Sequence, residues 1–76
     1  MPTLRQLREE VMLTQEELAQ SCGVSRNTVW KWEHAKAIPS IPIRRKLVKI
    51  LDVTSKVLIQ AIEETRKEIE NDRVAA

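Results

Sequence analysis

The sequence predicts an all-α domain, a compact bundle of five helices. Three observations point there. Apolar residues recur at helical spacing, and no stretch shows the strict alternation of a strand. Hydroxyl residues of the kind that cap helices stand just before the apolar runs. One glycine and three prolines punctuate the 76 residues, and they fall at the edges of those runs. A chain of this length makes one domain, residues 1–76, and buries only about 60% of its unfolded surface. The core is expected over about 4–62, with an extension of the last helix over about 63–73.

Thr3 followed by Gln6 fits a capping box, with Leu4, Leu7 and Val11 on one side, so helix 1 is read as about 4–12. Thr14 and Glu17 make a second box, and Leu13 before it can staple onto Leu18. Helix 2 is about 15–22, with Glu16 and Glu17 in the turn where the dipole favours them. Gly23 is the expected left-handed stop. Ser25 then caps helix 3, about 26–34. So tight a joint makes the two helices cross steeply, in the helix-turn-helix shape. Residues 35–42 form a loop holding Pro39 and Pro42. Ser40 or Ile41 starts helix 4, which runs to about Leu51 with Ile43, Leu47, Ile50 and Leu51 inward. Thr54 or Ser55 caps helix 5, whose Leu58, Ile62, Thr65 and Ile69 step by four, three and four as in a coiled-coil seam. Glu63–Lys67 and Arg66–Glu70 are favourable pairs on it, and the last three or four residues are expected to fray.

Composition excludes several classes. No run approaches the roughly 20 apolar residues of a membrane span, and "MPTLRQL" lacks the basic and apolar regions of a signal peptide. A cytoplasmic protein is expected. One cysteine, Cys22, permits no internal disulfide, and with one histidine, His34, no structural zinc site. Cys22 reads as a small buried residue. Nothing suggests a cofactor, a phosphate loop or a nucleophile–base set, so no enzyme is expected. Thirteen basic and eleven acidic residues leave a formal charge of +2. Its distribution is uneven: residues 39–51 hold Arg44, Arg45, Lys46 and Lys49 with no acid, whereas 52–76 hold six acids and four bases. One face of a nearly balanced molecule is therefore positive.

Helix 3 carries the chemistry. Val29 and Trp32 face inward together. Asn27, Lys31 and His34 share another face, and Arg26 and Thr28 flank its leading end. An α-helix fits the major groove of DNA, where Arg pairs with guanine, Asn with adenine and the Thr methyl meets thymine. The same residues also suit a solvated helix face, but two capped helices hinged on a glycine favour the reading face. A helical RNA target does not fit, because its deep major groove is closed to such a helix.

Leu13, Thr14, Gln15, Leu18, Ala19, Gly23, Val24, Ser25, Val29, Trp32 and Glu33 together resemble the lambda-repressor and Cro type of helix-turn-helix, the XRE family. The likeness extends over about 4–62. It implies that Arg26, Asn27, Thr28 and Lys31 touch bases. Gln15, Lys36, Arg44 and Arg45 would meet the sugar-phosphate backbone, and Arg8 would bridge to Glu33. It implies a bacterial or phage regulator, repressor-like, on double-stranded DNA. A homodimer on a near-palindromic operator would place half-sites roughly 34–36 Å apart, with Leu58, Ile62, Thr65 and Ile69 as dimer candidates. Acids of helices 1 and 2 (Glu9, Glu10, Glu16 or Glu17) could touch RNA polymerase. The fold also serves antitoxin- and coactivator-like adaptors, in which Trp30 and helix 5 would anchor a partner. Three positions depart from the pattern. Ala35 and Met12 stand where glycine is usual, so the loop after helix 3 takes another path or the helix runs on. Trp30 replaces a polar residue, and is read as covering helix 4 or the following loop, unless it packs on the DNA sugar, stacks beside Arg26 or meets a partner subunit.

Overall fold

Hydroxyl side chains set where the helices begin. Thr3 Oγ1 accepts from the Gln6 N–H while the Thr3 N–H donates to the Gln6 side chain. Thr14 and Glu17 close the same reciprocal box, and the Thr14 N–H holds the Glu17 carboxyl below the ordinary carboxylate range. Ser25 Oγ accepts from the Thr28 N–H, and Thr54 Oγ1 from the Val57 N–H. Ser40 precedes the fourth helix without a side-chain cap bond, and Pro42 sits in that first turn. The computed structural model describes residues 1–75, with backbone alone for 74 and 75. In order, α1 is Leu4–Glu10, α2 Gln15–Cys22, α3 Arg26–Glu33, α4 Ile41–Ile50 and α5 Ser55–Ala75. The expected five-helix, all-α arrangement is what forms. The fraying expected at the end falls partly on Ala76, outside the described residues; Arg73 to Ala75 are helical.

The helices end in one repeated way. After α1 the Leu13 N–H reaches the Arg8 carbonyl, and Met12 between them is left-handed at φ 59°. After α2 the Val24 N–H reaches the Ala19 carbonyl around Gly23 at φ 72°. After α3 Lys36 reaches Lys31 around Ala35 at φ 56°. After α4 Val53 reaches Val48 around Asp52 at φ 54°. Each is the six-to-one closure of a Schellman motif. Only one of the four left-handed residues is glycine. Helix 3 therefore neither runs on past its usual end nor reroutes its loop: it stops at Glu33, and Ala35 adopts the glycine conformation despite its Cβ. Helix 1 likewise stops at Glu10, two residues before the expected end, because Met12 turns left-handed. Three of the residues after the turn, Leu13, Val24 and Val53, pack against the core. The fourth, Lys36, is exposed.

Helix α5 packs on α1 and α4, α2 packs on α3 and α4, and α1 also meets α3. Leu7, Leu18, Val29, Trp32, Leu47 and Leu58 meet in one core. Cys22 is buried there, and burial pushes its thiol pKa up against a smaller opposing pull from Lys46. The Lys46 ammonium donates to the Cys22 carbonyl at 3.4 Å, where the C-terminal end of α2 favours a cation.

The expected seam on α5 divides. Leu58 and Thr65 are 1% and 3% exposed within the chain's own core, while Ile62 and Ile69 are half-buried. Thr65 has a specific task. Its hydroxyl donates to the Ala61 carbonyl at 2.7 Å and accepts from the Leu4 N–H at 3.0 Å. The N–H of Leu4 is one of the first-turn donors that a helix leaves without an internal partner, so α5 completes the cap of α1. Farther along, Arg66 bonds both Glu63 and Glu70; Glu63 pairs with Arg66 rather than the expected Lys67.

Met12 is 89% exposed, so Met12→Gly removes left-handed strain without removing packing. It is expected to raise stability by about 0.5–1 kcal/mol in urea unfolding, and Ala35→Gly by a similar amount. Gly23→Ala goes the other way, by about 1 kcal/mol. A Cβ there would meet only the Lys46 ammonium at 3.9 Å, so the penalty is in the backbone. Thr65→Val keeps the shape and strands the Leu4 N–H; a loss of about 1–3 kcal/mol is expected from the same measurement.

Candidate nucleic-acid interface

Helix α3 turns one face inward and leaves the other open. Val29, Trp32 and Glu33 are buried. Arg26, Asn27 and Lys31 are exposed. Thr28 is half-buried on the opposite flank, and its hydroxyl lies 2.9 Å from Ser25 Oγ. Its hydroxyl is thus engaged within the cap of α3.

Glu33 fixes the orientation of this face. Its side chain is only 3% exposed. Arg8 Nε donates to one carboxylate oxygen at 2.6 Å and Arg8 Nη2 to the other at 3.1 Å. The remaining Arg8 nitrogen, Nη1, donates to the Leu13 carbonyl at 2.8 Å. Gln15 Nε2 adds a third bond to the carboxylate at 3.0 Å. The two-pronged pairing of guanidinium and carboxylate is the strong form of this interaction. The bond to Glu33 raises the Arg8 pKa above its ordinary value, although burial pulls the other way. One carboxylate thereby joins α1, the α1–α2 turn, the start of α2 and the end of α3.

Gln15 stands at the first position of α2, where free backbone N–H groups favour an anion. Its amide nitrogen has two hydrogens, so the bond to Glu33 leaves one available. Lys36 is exposed just past Ala35, its backbone held by the Lys31 carbonyl at 2.8 Å. Arg45 is exposed on α4. Arg44 is half-buried, and its Nε donates to the Pro39 carbonyl at 2.9 Å. It therefore ties the α3–α4 loop to α4, and its terminal nitrogens alone remain for an outside partner. Pro39, within that loop, is fully buried.

Trp30 packs on the C-terminal cap of α3. It is 38% exposed, and its ring stacks on His34 with centroids 4.1 Å apart and planes 20° apart. It lines a concavity of about 340 Å³ together with Gln15, Arg26 and Asn27. His34 closes the end of α3: its Nδ1 lies 2.8 Å from the Trp30 carbonyl, so that nitrogen carries the proton. The signal for Trp30 was present in the spacing. It stands four after Arg26, three after Asn27 and four before His34, which is one helix face. Among the described residues, no group of three or more His, Cys, Asp or Glu could hold a metal ion, and no helix is long and apolar enough to cross a membrane.

The carboxylate junction predicts a particular mutational pattern. Glu33→Ala leaves a guanidinium buried without its partner and is expected to destabilise by about 3–5 kcal/mol in urea unfolding. Replacing both partners, Arg8→Met with Glu33→Met, should recover a large part of that loss. A double variant no better than Glu33→Ala would mean that the pair adds net stability beyond satisfying itself.

A family model described as helix-turn-helix matches residues 4–58. The HTH-type transcriptional activator BcrR of Enterococcus faecalis is 39% identical over 60 residues, which cover 79% of this chain and 29% of BcrR. A Methanococcus maripaludis protein named as an HTH-type transcriptional regulatory protein, MMP0678, is 40% identical over 50 residues, covering 66% of this chain and 15% of the relative. The chain thus spans less than a third of the length of either relative. No solved structure matches it. With the matched segment running from the start of α1 into α5, the chain belongs to the helix-turn-helix family of transcriptional regulators.

Proposed function

We propose that the chain binds double-stranded DNA sequence-specifically and regulates transcription by occupying its operator, in the manner of a Cro-like repressor. One observation carries this reading: α3 is held by its buried face and Glu33, and it leaves Arg26, Asn27 and Lys31 exposed on the outer side. In the major groove these side chains suit base edges, with the Thr28 methyl at the flank. Gln15 at the start of α2, Lys36 after α3 and Arg45 on α4 suit phosphates on either side. Phosphate contacts of this kind set position rather than sequence. Arg44 contributes through its terminal nitrogens.

A single module this small makes limited contact with DNA. A homodimer on a near-palindromic operator would double it. On α5 the pairing surface would draw on Ile62 and Ile69, since Leu58 and Thr65 are occupied inside the monomer. BcrR is named an activator; the corresponding reading for this chain is contact of the exposed Glu9, Glu10 and Glu16 with RNA polymerase. A cytoplasmic, nucleoid-associated location fits either direction of regulation.

A second reading, an antitoxin- or coactivator-like adaptor, draws support from a groove between α4 and α5. Ile41 and Ile59 on its walls are 60% and 54% exposed. Salt separates the two. Phosphate contacts release counterions, so DNA affinity falls steeply with salt, whereas an apolar partner interface is far less sensitive.

Two variants test the leading reading by binding titrations on several duplexes at several salt concentrations. Asn27→Ala is expected to lose about 1–3 kcal/mol of discrimination at one base pair. Equal weakening on every duplex would remove Asn27 from base reading. Arg45→Ala is expected to weaken all duplexes alike and reduce the salt slope by about one. A changed base preference with an unchanged slope would contradict its phosphate role.

A further inference from the structure

The outer face of α3 carries an aromatic residue that base reading does not use. Trp30 is one of only two aromatic side chains of the Phe, Trp and Tyr class in the chain, and the other, Trp32, is in the core. A partly exposed indole is an apolar surface that water disfavours. Its neighbours indicate what covers it. The concavity it lines is otherwise bounded by Gln15, Arg26 and Asn27, all polar and all carrying N–H donors. No carboxylate lines it, which suits a partner that is itself anionic. The exposed Ile41 and Ile59 line a different groove, between α4 and α5. A flat apolar wall under a rim of donors matches a sugar joined to a phosphate.

The ring is also held ready. One face stacks on His34, and His34 is itself fixed by the bond from its Nδ1 to the Trp30 carbonyl. An indole already immobilised loses little freedom when it is covered. It stands on the edge of α3 nearest Gln15 and the start of α2, while Asn27 and Lys31 take the middle of the face.

We infer that Trp30 is itself a DNA contact: its indole seats one deoxyribose of the strand whose phosphate meets Gln15 and the first turn of α2. This rests on the DNA reading proposed above. It adds an apolar, sequence-independent contact to a set of charged and polar ones. Such a contact strengthens binding without releasing counterions.

The test compares wild type, Trp30→Ala and Trp30→Phe on duplexes that the wild type binds and on unrelated duplexes, across a salt series. Urea unfolding run alongside confirms that each variant is folded. Trp30→Ala is expected to weaken every duplex by roughly tenfold. Its salt slope should stay that of the wild type, and Trp30→Phe should restore much of the affinity. Unchanged affinity in folded Trp30→Ala overturns the inference. So does a loss confined to one base pair, which would make Trp30 a base reader instead. A wild type that binds no duplex overturns the DNA reading itself, which is a separate failure from either of these.

Discussion

The orientation of α3 depends on one buried carboxylate. Glu33 stands at the last position of α3 with 3% of its side chain exposed. A charge so placed is tolerable only when it is paired and fully hydrogen-bonded. Arg8 supplies two bonds and Gln15 a third. Because these partners come from α1 and from the start of α2, satisfying the charge also sets the angle of α3. The residue that stands at the anion-favouring start of α2 is the same one that braces α3. The proposed phosphate seat and reading face are therefore registered to each other through a single side chain.

The connections carry a different constraint. Four helices end in the same left-handed closure, which lets short turns reverse the chain while a carbonyl of each last turn finds a donor beyond the helix. Glycine takes that conformation freely, but Met12, Ala35 and Asp52 take it as well. The strain, on the order of 1 kcal/mol at each site, is borne because the turns hold Leu13 and Val53 against the core and place Lys36 outward. Stability is thus given up at the turns and recovered in packing, a balance that suits a domain with so small a core.

Much of this was legible in the chain. The caps at Thr3, Thr14, Ser25 and Thr54 and the stop at Gly23 are local, so neighbouring residues reveal them. The Arg8–Glu33 bridge joins positions 25 apart, and resemblance rather than spacing pointed to it. Ala35 was misjudged because propensity argued against a conformation that the closing bond from the Lys36 N–H to the Lys31 carbonyl requires. The task of Thr65 was invisible, since its partner Leu4 lies 61 residues away and helical spacing placed it on a seam instead. The stack of Trp30 on His34 was not foreseen, although helical spacing puts both on one face, because an aromatic side chain invites a search for core. Arg44 looked like a free cation until its bond to the buried loop at Pro39 appeared.

The central claim is that the exposed face of α3 reads the sequence of duplex DNA. Selection of bound duplexes from a random library at physiological salt, with untagged and folded protein, tests it most directly. The account predicts enrichment of a defined sequence, recovered as two symmetric half-sites if two copies bind together and as one if a single copy suffices. Folded protein that enriches no sequence would contradict it.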